Sequence, residues 1–191
     1  MEGGFDAGHF NAFAASRRST RDFLPTPVPD EVIEEIIAAG LTSPSWSNTR
    51  PFVVAVAEGE VRDRLSAEFL SRFELVKTGQ GEGVFGKIKA LIRRKGLPTS
   101  NWLVLKRYHK DLLPRSQRIG KELFTQMEID RDDKDARDRF WARNYEFFGA
   151  PVELFLFTHK SLGKFAASDA GLFMQNLMLS AHSKGLGTCA Q

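Results

Sequence analysis

Apolar residues recur at helical spacing along much of this chain, and the pattern is clearest in Ser168–Lys184. The apolar positions that share one helix face there are Ala170, Phe173, Met174, Leu177, Met178 and Ala181. Gly185 follows them, and glycine is common just beyond the end of a helix. We therefore predict a long helix whose apolar face packs in the core.

Other stretches carry the same periodicity. Asp30 is expected to cap a helix that ends at Gly40. The apolar face of that helix consists of Val32, Ile33, Ile36 and Ile37. The remaining stretches predicted to be helical are His9–Ala15, Glu60–Lys77, Lys87–Lys95, Gln117–Met127 and Asp132–Phe148.

Two continuous apolar runs have the length of strands. Phe52–Ala57 follows a polar loop and is predicted to be a buried strand. Val152–Thr158 follows Gly149-Ala150-Pro151 and is predicted to be a second strand.

The glycine-rich segment Gly79–Gly86 is predicted to be a mobile loop. Gly81–Lys87 also fits the pattern of a phosphate-binding P-loop, but Ile88 stands where that loop needs Ser or Thr. Tyr108–Leu112 resembles a kinase catalytic loop, yet too few residues separate it from Gly86 for a kinase lobe. Neither pattern therefore predicts nucleotide chemistry.

Composition narrows the class of protein. The chain has 191 residues, 42% of them hydrophobic and 27% charged, which suits one globular domain over 1–191. Its net charge of +3 suits an anionic ligand such as a phosphate-bearing cofactor and does not demand nucleic acid. The four histidines show no metal-ligand spacing, so no metal site is predicted.

Cysteine usage and hydropathy bear on location. Cys189 is the only cysteine, so the chain can form no internal disulfide, and we expect it to be a small buried residue in a reducing compartment. No run approaches the roughly 20 apolar residues of a membrane helix, and the first residues lack the layout of a signal peptide. We predict a cytoplasmic protein.

Two polar segments carry the candidate chemistry. Arg17–Arg21, with the sequence Arg-Arg-Ser-Thr-Arg, holds three guanidinium groups, and such planar donors suit a phosphate. Ser43–Phe52 lies between a helix and a strand, and its small polar residues would let a backbone approach a flat heteroaromatic ring. Each segment taken alone is equally an ordinary turn or loop.

Taken in order, the two segments resemble the nitroreductase family of flavoproteins. In that family an R-[RH]-S-x-[RK] turn precedes a P-S-x-x-N-x-Q-P-[WF] loop. The block Ser168–Cys189 is similar to the family's helix and Gly-Leu-Gly-Thr-Cys turn, and Asn144–Pro151 before an apolar strand also fits. The chain departs from the pattern at Arg50, where Gln is usual, and at His182 inside the helix.

This resemblance implies a fold and an assembly. The expected fold is α+β, with a central mixed, mainly antiparallel sheet flanked by helices. The expected assembly is an obligate homodimer with FMN at the subunit interface, to which the helix bearing Leu179 would contribute. The family continues beyond the Gly-Leu-Gly-Thr-Cys turn, so the chain is expected to lack the usual C-terminal segment after Gln191.

The resemblance also implies a set of cofactor-binding residues: Arg17, Arg18, Ser19, Arg21, Pro44, Ser45, Asn48, Arg50, Ala190 and Gln191. The first three would hold the phosphate and ribityl chain of FMN, and Arg21 would lie near the N1/O2 edge of the flavin. The residues of the second segment would contact the ring system from the other subunit. The longer, charged side chain of Arg50 would reach the ribityl chain or phosphate, or attract an acidic substrate.

The reaction implied is electron transfer from NADH or NADPH, through FMN, to a nitroaromatic or quinone. Because the cofactor does this chemistry, no general acid or base is assigned. Phe124, Phe147 and Phe148 either line the substrate pocket or pack in the core. Three other functions stay open: a flavoenzyme of the same fold that catalyses reductive dehalogenation or flavin fragmentation, a non-catalytic flavin-binding protein, and a basic nucleic-acid-binding module.

Overall fold

A computed structural model describes residues 6–81 and 108–191 of the chain. These residues form two compact units, one made of 6–63 and 148–191 and the other of 64–81 and 108–147. The single domain over 1–191 stays a prediction.

The first unit contains the following elements: α1 (Ala7–Ser16), α2 (Asp30–Leu41), β1 (Phe52–Glu58), β2 (Val152–Thr158) and the long C-terminal helix, here α6 (Lys164–Ser183). Helix α3 (Gly59–Gly81) begins in this unit and continues into the second, which also holds α4 (Leu113–Gln126) and α5 (Lys134–Ala142). No helix within these described ranges is long and apolar enough to cross a bilayer.

Both predicted strands form, and they pair with each other. β1 and β2 run antiparallel, with Phe52 opposite Thr158 and Glu58 opposite Val152. Side chains alternate between the two faces of such a ladder. On one face the cross-strand neighbours Val53 and Phe157 are 65% and 57% exposed, so the prediction that β1 is fully buried is wrong.

The core of the first unit lies where α2 packs against α6. Ile33 and Ile36 are buried, and the ring of Phe173 is only 1% exposed. Gly40 sits under that ring, since a Cβ there would lie 2.8 Å from Phe173 Cε2. Gly40 is therefore a close-contact residue inside α2, and the prediction that it ends the helix is wrong by one residue.

The start of α2 also differs from the prediction. Pro29 occupies the N-cap position and Asp30 is the first helical residue, with no side-chain cap hydrogen bond. A carboxylate in the first turn still interacts favourably with the helix dipole.

The end of α6 confirms the stop signal at Gly185. The N–H of Leu186 donates to the carbonyl of Ala181 at 3.0 Å, and that of Gly185 donates to His182 at 3.0 Å. Gly185 has φ +76°. This pair of bonds is a Schellman motif, which needs a left-handed residue and so favours glycine.

Several boundaries depart from the predicted ones. α4 begins four residues before Gln117, and α5 ends at Ala142 rather than at Phe148. Phe147 and Phe148 both have φ +53°, and both are buried, which agrees with core packing. α3 extends to Gly81, so the first residues of the predicted glycine loop are helical, whereas its remainder and Lys87–Lys95 lie outside the described residues.

Candidate functional site

The arginine turn begins where α1 ends. Arg17 caps the helix with an extended backbone (φ −57°, ψ 135°), which turns the chain away from the helix axis. Arg18 Nη1 donates to the carbonyl of its neighbour Arg17 at 3.0 Å and to that of Ala15. Among the residues that the structure describes, Arg17 and Arg21 form no ion pair. Their guanidinium groups therefore remain available for an anion.

The turn is joined to the C-terminal part of the chain. The N–H of Thr20 donates to the carbonyl of Thr188 at 2.9 Å, and Ser19 lies beside Thr188 in a parallel bridge. Gly187 allows this approach, because a Cβ there would lie 2.6 Å from Thr20 Oγ1. The arginine turn and the Gly-Leu-Gly-Thr-Cys turn, two of the segments that carry the family resemblance, therefore lie next to each other.

The residues that follow this junction are open to solvent. Ala190 and Gln191 are exposed, and Gln191 Nε2 donates to Cys189 Sγ at 3.4 Å. Cys189 itself is half-buried rather than buried as expected. The two predicted cofactor residues here, Ala190 and Gln191, follow Thr188, the residue that is bonded to the arginine turn, by two and three positions in the sequence.

The loop 43–51 is anchored on α6. Ser43 is buried and its Oγ donates to the carbonyl of Leu172 at 3.2 Å. The N–H of Trp46 donates to Oδ2 of Asp169 at 3.0 Å, and that carboxylate is only 4% exposed. The Trp46 ring stacks on Phe165 with centroids 3.9 Å apart. A buried carboxylate and a ring stack thus determine where the loop lies.

The tip of this loop has an uncommon backbone. Ser47, Asn48 and Arg50 have φ values of +50°, +53° and +44°, a region that residues other than glycine seldom adopt. Ser45 Oγ accepts the N–H of Arg50 at 2.9 Å, and Asn48 Oδ1 accepts Arg50 Nε at 3.3 Å. Such local strain concentrates at functional sites, and here hydrogen bonds within the loop maintain it.

The predicted cofactor-binding residues of this loop are not equally exposed to solvent. Ser45 is half-buried, whereas Pro44 and Asn48 are exposed. Arg50 is also exposed, and its terminal guanidinium nitrogens point to no partner among the described residues. The loop therefore offers polar groups and one cation to a ligand.

The structure attaches the two predicted segments to α6 at different points. The loop is bonded to α6 at Asp169, whereas Ser16, which directly precedes the arginine turn, lies against His182 near the end of the helix. These two positions on α6 are thirteen residues apart on a helix that rises about 1.5 Å per residue, so about 20 Å separates them along its axis.

Sequence reasoning missed three residues that hold these segments in place. Asp169 anchors the loop, Thr20 anchors the turn, and His182 Nε2 lies 2.7 Å from Ser16 Oγ at the end of α1. Asp169 lies within the block Ser168–Cys189 but carries no predicted role, and His182 differs from the family pattern without indicating a partner. No local signal connects either residue with its partner far away in the sequence.

Within 6–81 and 108–191, no group of three or more His, Cys, Asp or Glu side chains could hold a metal ion.

Comparison with known proteins reveals relatives along nearly the whole chain. The profile of the nitroreductase family matches residues 14–191. The chain is 36% identical to a 4-nitrobenzoate reductase of Pseudomonas putida over 182 residues, which cover 95% of this chain and 71% of that protein. It is 30% identical to a nitrobenzene nitroreductase of Ectopseudomonas oleovorans over 175 residues, covering 92% and 70%.

The structure also superposes on solved proteins. It matches the FMN-dependent nitroreductase NfnB from Mycobacterium smegmatis, solved in complex with NADPH, with a TM-score of 0.76 and 27% identity. The match covers 96% of this chain and 74% of that one. The predicted family resemblance and the predicted α+β fold class are thereby confirmed.

Proposed function

The chain belongs to the nitroreductase family, and on that premise we propose that it is an FMN-dependent oxidoreductase that passes electrons from NADH or NADPH to nitroaromatics or quinones. FMN supplies the redox chemistry in such an enzyme, by taking up a hydride from the nicotinamide and giving the electrons to the acceptor. The names of the relatives, 4-nitrobenzoate reductase and nitrobenzene nitroreductase, support a nitroaromatic acceptor.

One observation supports the cofactor assignment: within residues 6–81 and 108–191, no carboxylate forms an ion pair with the cations of the arginine turn. Three guanidinium groups close together repel one another unless an anion neutralises them. Arg17, Arg18 and Ser19 would bind the phosphate and ribityl chain through charge-assisted hydrogen bonds. The positive charge of Arg21 would raise the reduction potential of a flavin beside it.

The second segment would meet the ring system. Pro44, Ser45 and Asn48 lie on a loop that Asp169 holds in place, so their polar groups are preorganised before a ligand arrives. Arg50 would contact the cofactor or an acidic substrate from the same loop. Ala190 and Gln191 complete the proposed set, through the backbone groups that follow Thr188.

We also propose that the site is shared between two copies of the chain. The points at which α6 holds the loop and the start of the arginine turn, Asp169 and His182, lie about 20 Å apart along the helix, so one flavin would be bound by the turn of one protomer and the loop of its partner. A two-fold axis would then create two equal sites per homodimer. The cytoplasmic location stays a prediction.

Purified protein tests the activity directly. We expect bound flavin in its visible spectrum, loss of that colour on adding NADH or NADPH without oxygen, and its return on adding 4-nitrobenzoate, nitrobenzene or a quinone. Bound FMN that neither nicotinamide reduces would contradict the proposal. The variant Arg17→Ala should bind FMN at least tenfold more weakly, whereas Arg118→Ala, on exposed α4, should bind it normally.

Mixed dimers test the shared site. Arg17→Ala and Asn48→Ala homodimers each carry two defective sites. In a mixed dimer of the two variants, a shared site leaves one pair of wild-type segments, so half the flavin sites should recover normal affinity. No recovery would show that the site lies within one chain.

A further inference from the structure

The end of α1 is bonded to the end of α6 through Ser16 and His182. Ser16 Oγ donates to the carbonyl of Phe13 at 2.7 Å, which uses its only proton. The same oxygen lies 2.7 Å from His182 Nε2, so a hydrogen bond joins the two side chains.

The imidazole makes a second contact with α1. Its ring stacks on the ring of Phe13, with centroids 4.9 Å apart and an interplanar angle of 26°. His182 is half-buried, and it holds the last turn of α1 through one polar and one apolar contact. We call Phe13, Ser16 and His182 together the helix-end clamp.

The arginine turn lies between this clamp and a second anchor. Ser16 directly precedes Arg17, and the next fixed point is Thr20, whose N–H is bonded to Thr188. Both anchors contact the short segment 182–188: His182 lies in the last turn of α6, and Thr188 follows the Schellman motif that ends this helix. Arg17, Arg18 and Ser19 are thus fixed on both sides by contacts with one short segment.

We propose that His182 is a positioning residue for the binding of the FMN phosphate. It touches neither the cofactor nor the substrate in this proposal; it fixes the point from which the arginine turn leaves α1. The inference rests on the proposed function, since it concerns how the turn is preorganised for that cofactor. A binding group that is already oriented loses less conformational freedom when the ligand arrives.

Three substitutions separate the contacts of the clamp. His182→Phe keeps a ring to stack on Phe13 and loses the hydrogen bond, whereas His182→Gln keeps a donor and loses the stack. Ser16→Ala removes one exposed oxygen and should not prevent folding. We expect His182→Phe and Ser16→Ala to weaken FMN binding about fivefold to tenfold, and His182→Gln to retain part of the affinity.

Ser183→Ala is the matched control. Ser183 is exposed beside His182, and its hydroxyl donates to the carbonyl of Ser180 at 2.7 Å, as Ser16 does to Phe13. Its hydroxyl forms no hydrogen bond with α1 among the described residues. This variant loses the same kind of local bond and should bind FMN as the wild type does.

The readout is the dissociation constant of FMN, from the fluorescence released when the holoenzyme is diluted. Each clamp variant is also combined with Arg17→Ala. If His182 acts through the arginine turn, the loss of affinity caused by His182→Phe should largely vanish in the Arg17→Ala background. A purely structural role would give the same loss in both backgrounds.

The outcomes are distinct. A wild-type protein that holds no FMN would overturn the proposed function together with this inference. A wild type that binds FMN, with clamp variants that match Ser183→Ala, would overturn the inference alone. Equal losses with and without Arg17→Ala would likewise overturn it.

Discussion

The backbone N–H of Thr20 donates a hydrogen bond to the carbonyl of Thr188 at 2.9 Å, which joins the arginine turn to the Gly-Leu-Gly-Thr-Cys turn. Gly187 leaves room for the Thr20 side chain beside this bond, since a Cβ there would lie 2.6 Å from Thr20 Oγ1 and 3.0 Å from Thr20 Cβ. This contact holds the arginine turn, which follows α1, against the segment that follows α6.

Gly187→Ala tests the close approach at this junction. The added Cβ would lie 2.6 Å from Thr20 Oγ1, so the Thr20 side chain or the chain beside it must shift. We expect a loss of about 1–3 kcal/mol in the free energy of unfolding and weaker FMN binding. Denaturant unfolding and FMN titration measure both. Gly171→Ala, with open space around its Cβ position on α6, should be neutral or slightly stabilising.

Asp169→Ala tests the anchor of the loop 43–51. The substitution leaves the N–H of Trp46 without its acceptor, and we expect a cost of about 1–3 kcal/mol. Hydrogen exchange at the Trp46 amide should accelerate, because the loop opens more often. Asp169→Asn keeps an acceptor oxygen and should behave closer to wild type. An unchanged exchange rate in Asp169→Ala would argue against the anchor, and Ser168→Ala, an exposed neighbour, serves as the reference.

Arg50→Gln tests what the unusual arginine recognises. Its Nε is bonded to Asn48, which leaves the terminal nitrogens free to pair with a carboxylate. If Arg50 attracts an acidic substrate, the KM for 4-nitrobenzoate should rise about tenfold, while that for uncharged nitrobenzene stays the same. Equal changes for both substrates, together with weaker FMN binding, would instead assign Arg50 to the cofactor.

The half-buried carboxyl of Glu153 should make the stability of the protein depend on pH. Burial raises the pKa of Glu153 from its ordinary value of 4.5 to about 7, although the positive charge of Arg62 opposes the shift. The folded state therefore binds more protons than the unfolded state between these values, and stability should fall as the pH rises through that window.

Glu153→Gln should flatten this dependence and leave the protein more stable than wild type above pH 7. Solvent around a half-buried carboxyl limits the difference to about 1 kcal/mol. Urea unfolding at pH 4.5 and pH 8 measures it. The same loss of stability with rising pH in Glu153→Gln would assign the effect to other groups, and Glu60→Gln, exposed on α3, is the control.

Local pattern predicted most of the elements and failed mainly at their ends. The strand at Val152–Thr158 has the predicted bounds, and the stop at Gly185 follows from a left-handed residue that the sequence itself signals. The helix predicted over Asp132–Phe148 ends at Ala142, and Phe147 and Phe148 beyond it adopt positive φ values while buried. Apolar periodicity alone did not show where this helix ends.

The candidate site, too, could be predicted only in part from the sequence. The type and order of its residues, the arginine turn, the polar loop and the glycine turn, are properties of the sequence alone, because guanidinium, hydroxyl and amide chemistry does not depend on the fold. The contacts that position them, Thr20 with Thr188 and Asp169 with Trp46, join residues far apart along the chain. Only the packing of the helices brings such residues within hydrogen-bonding distance, and no local pattern of apolar and polar residues encodes that distance.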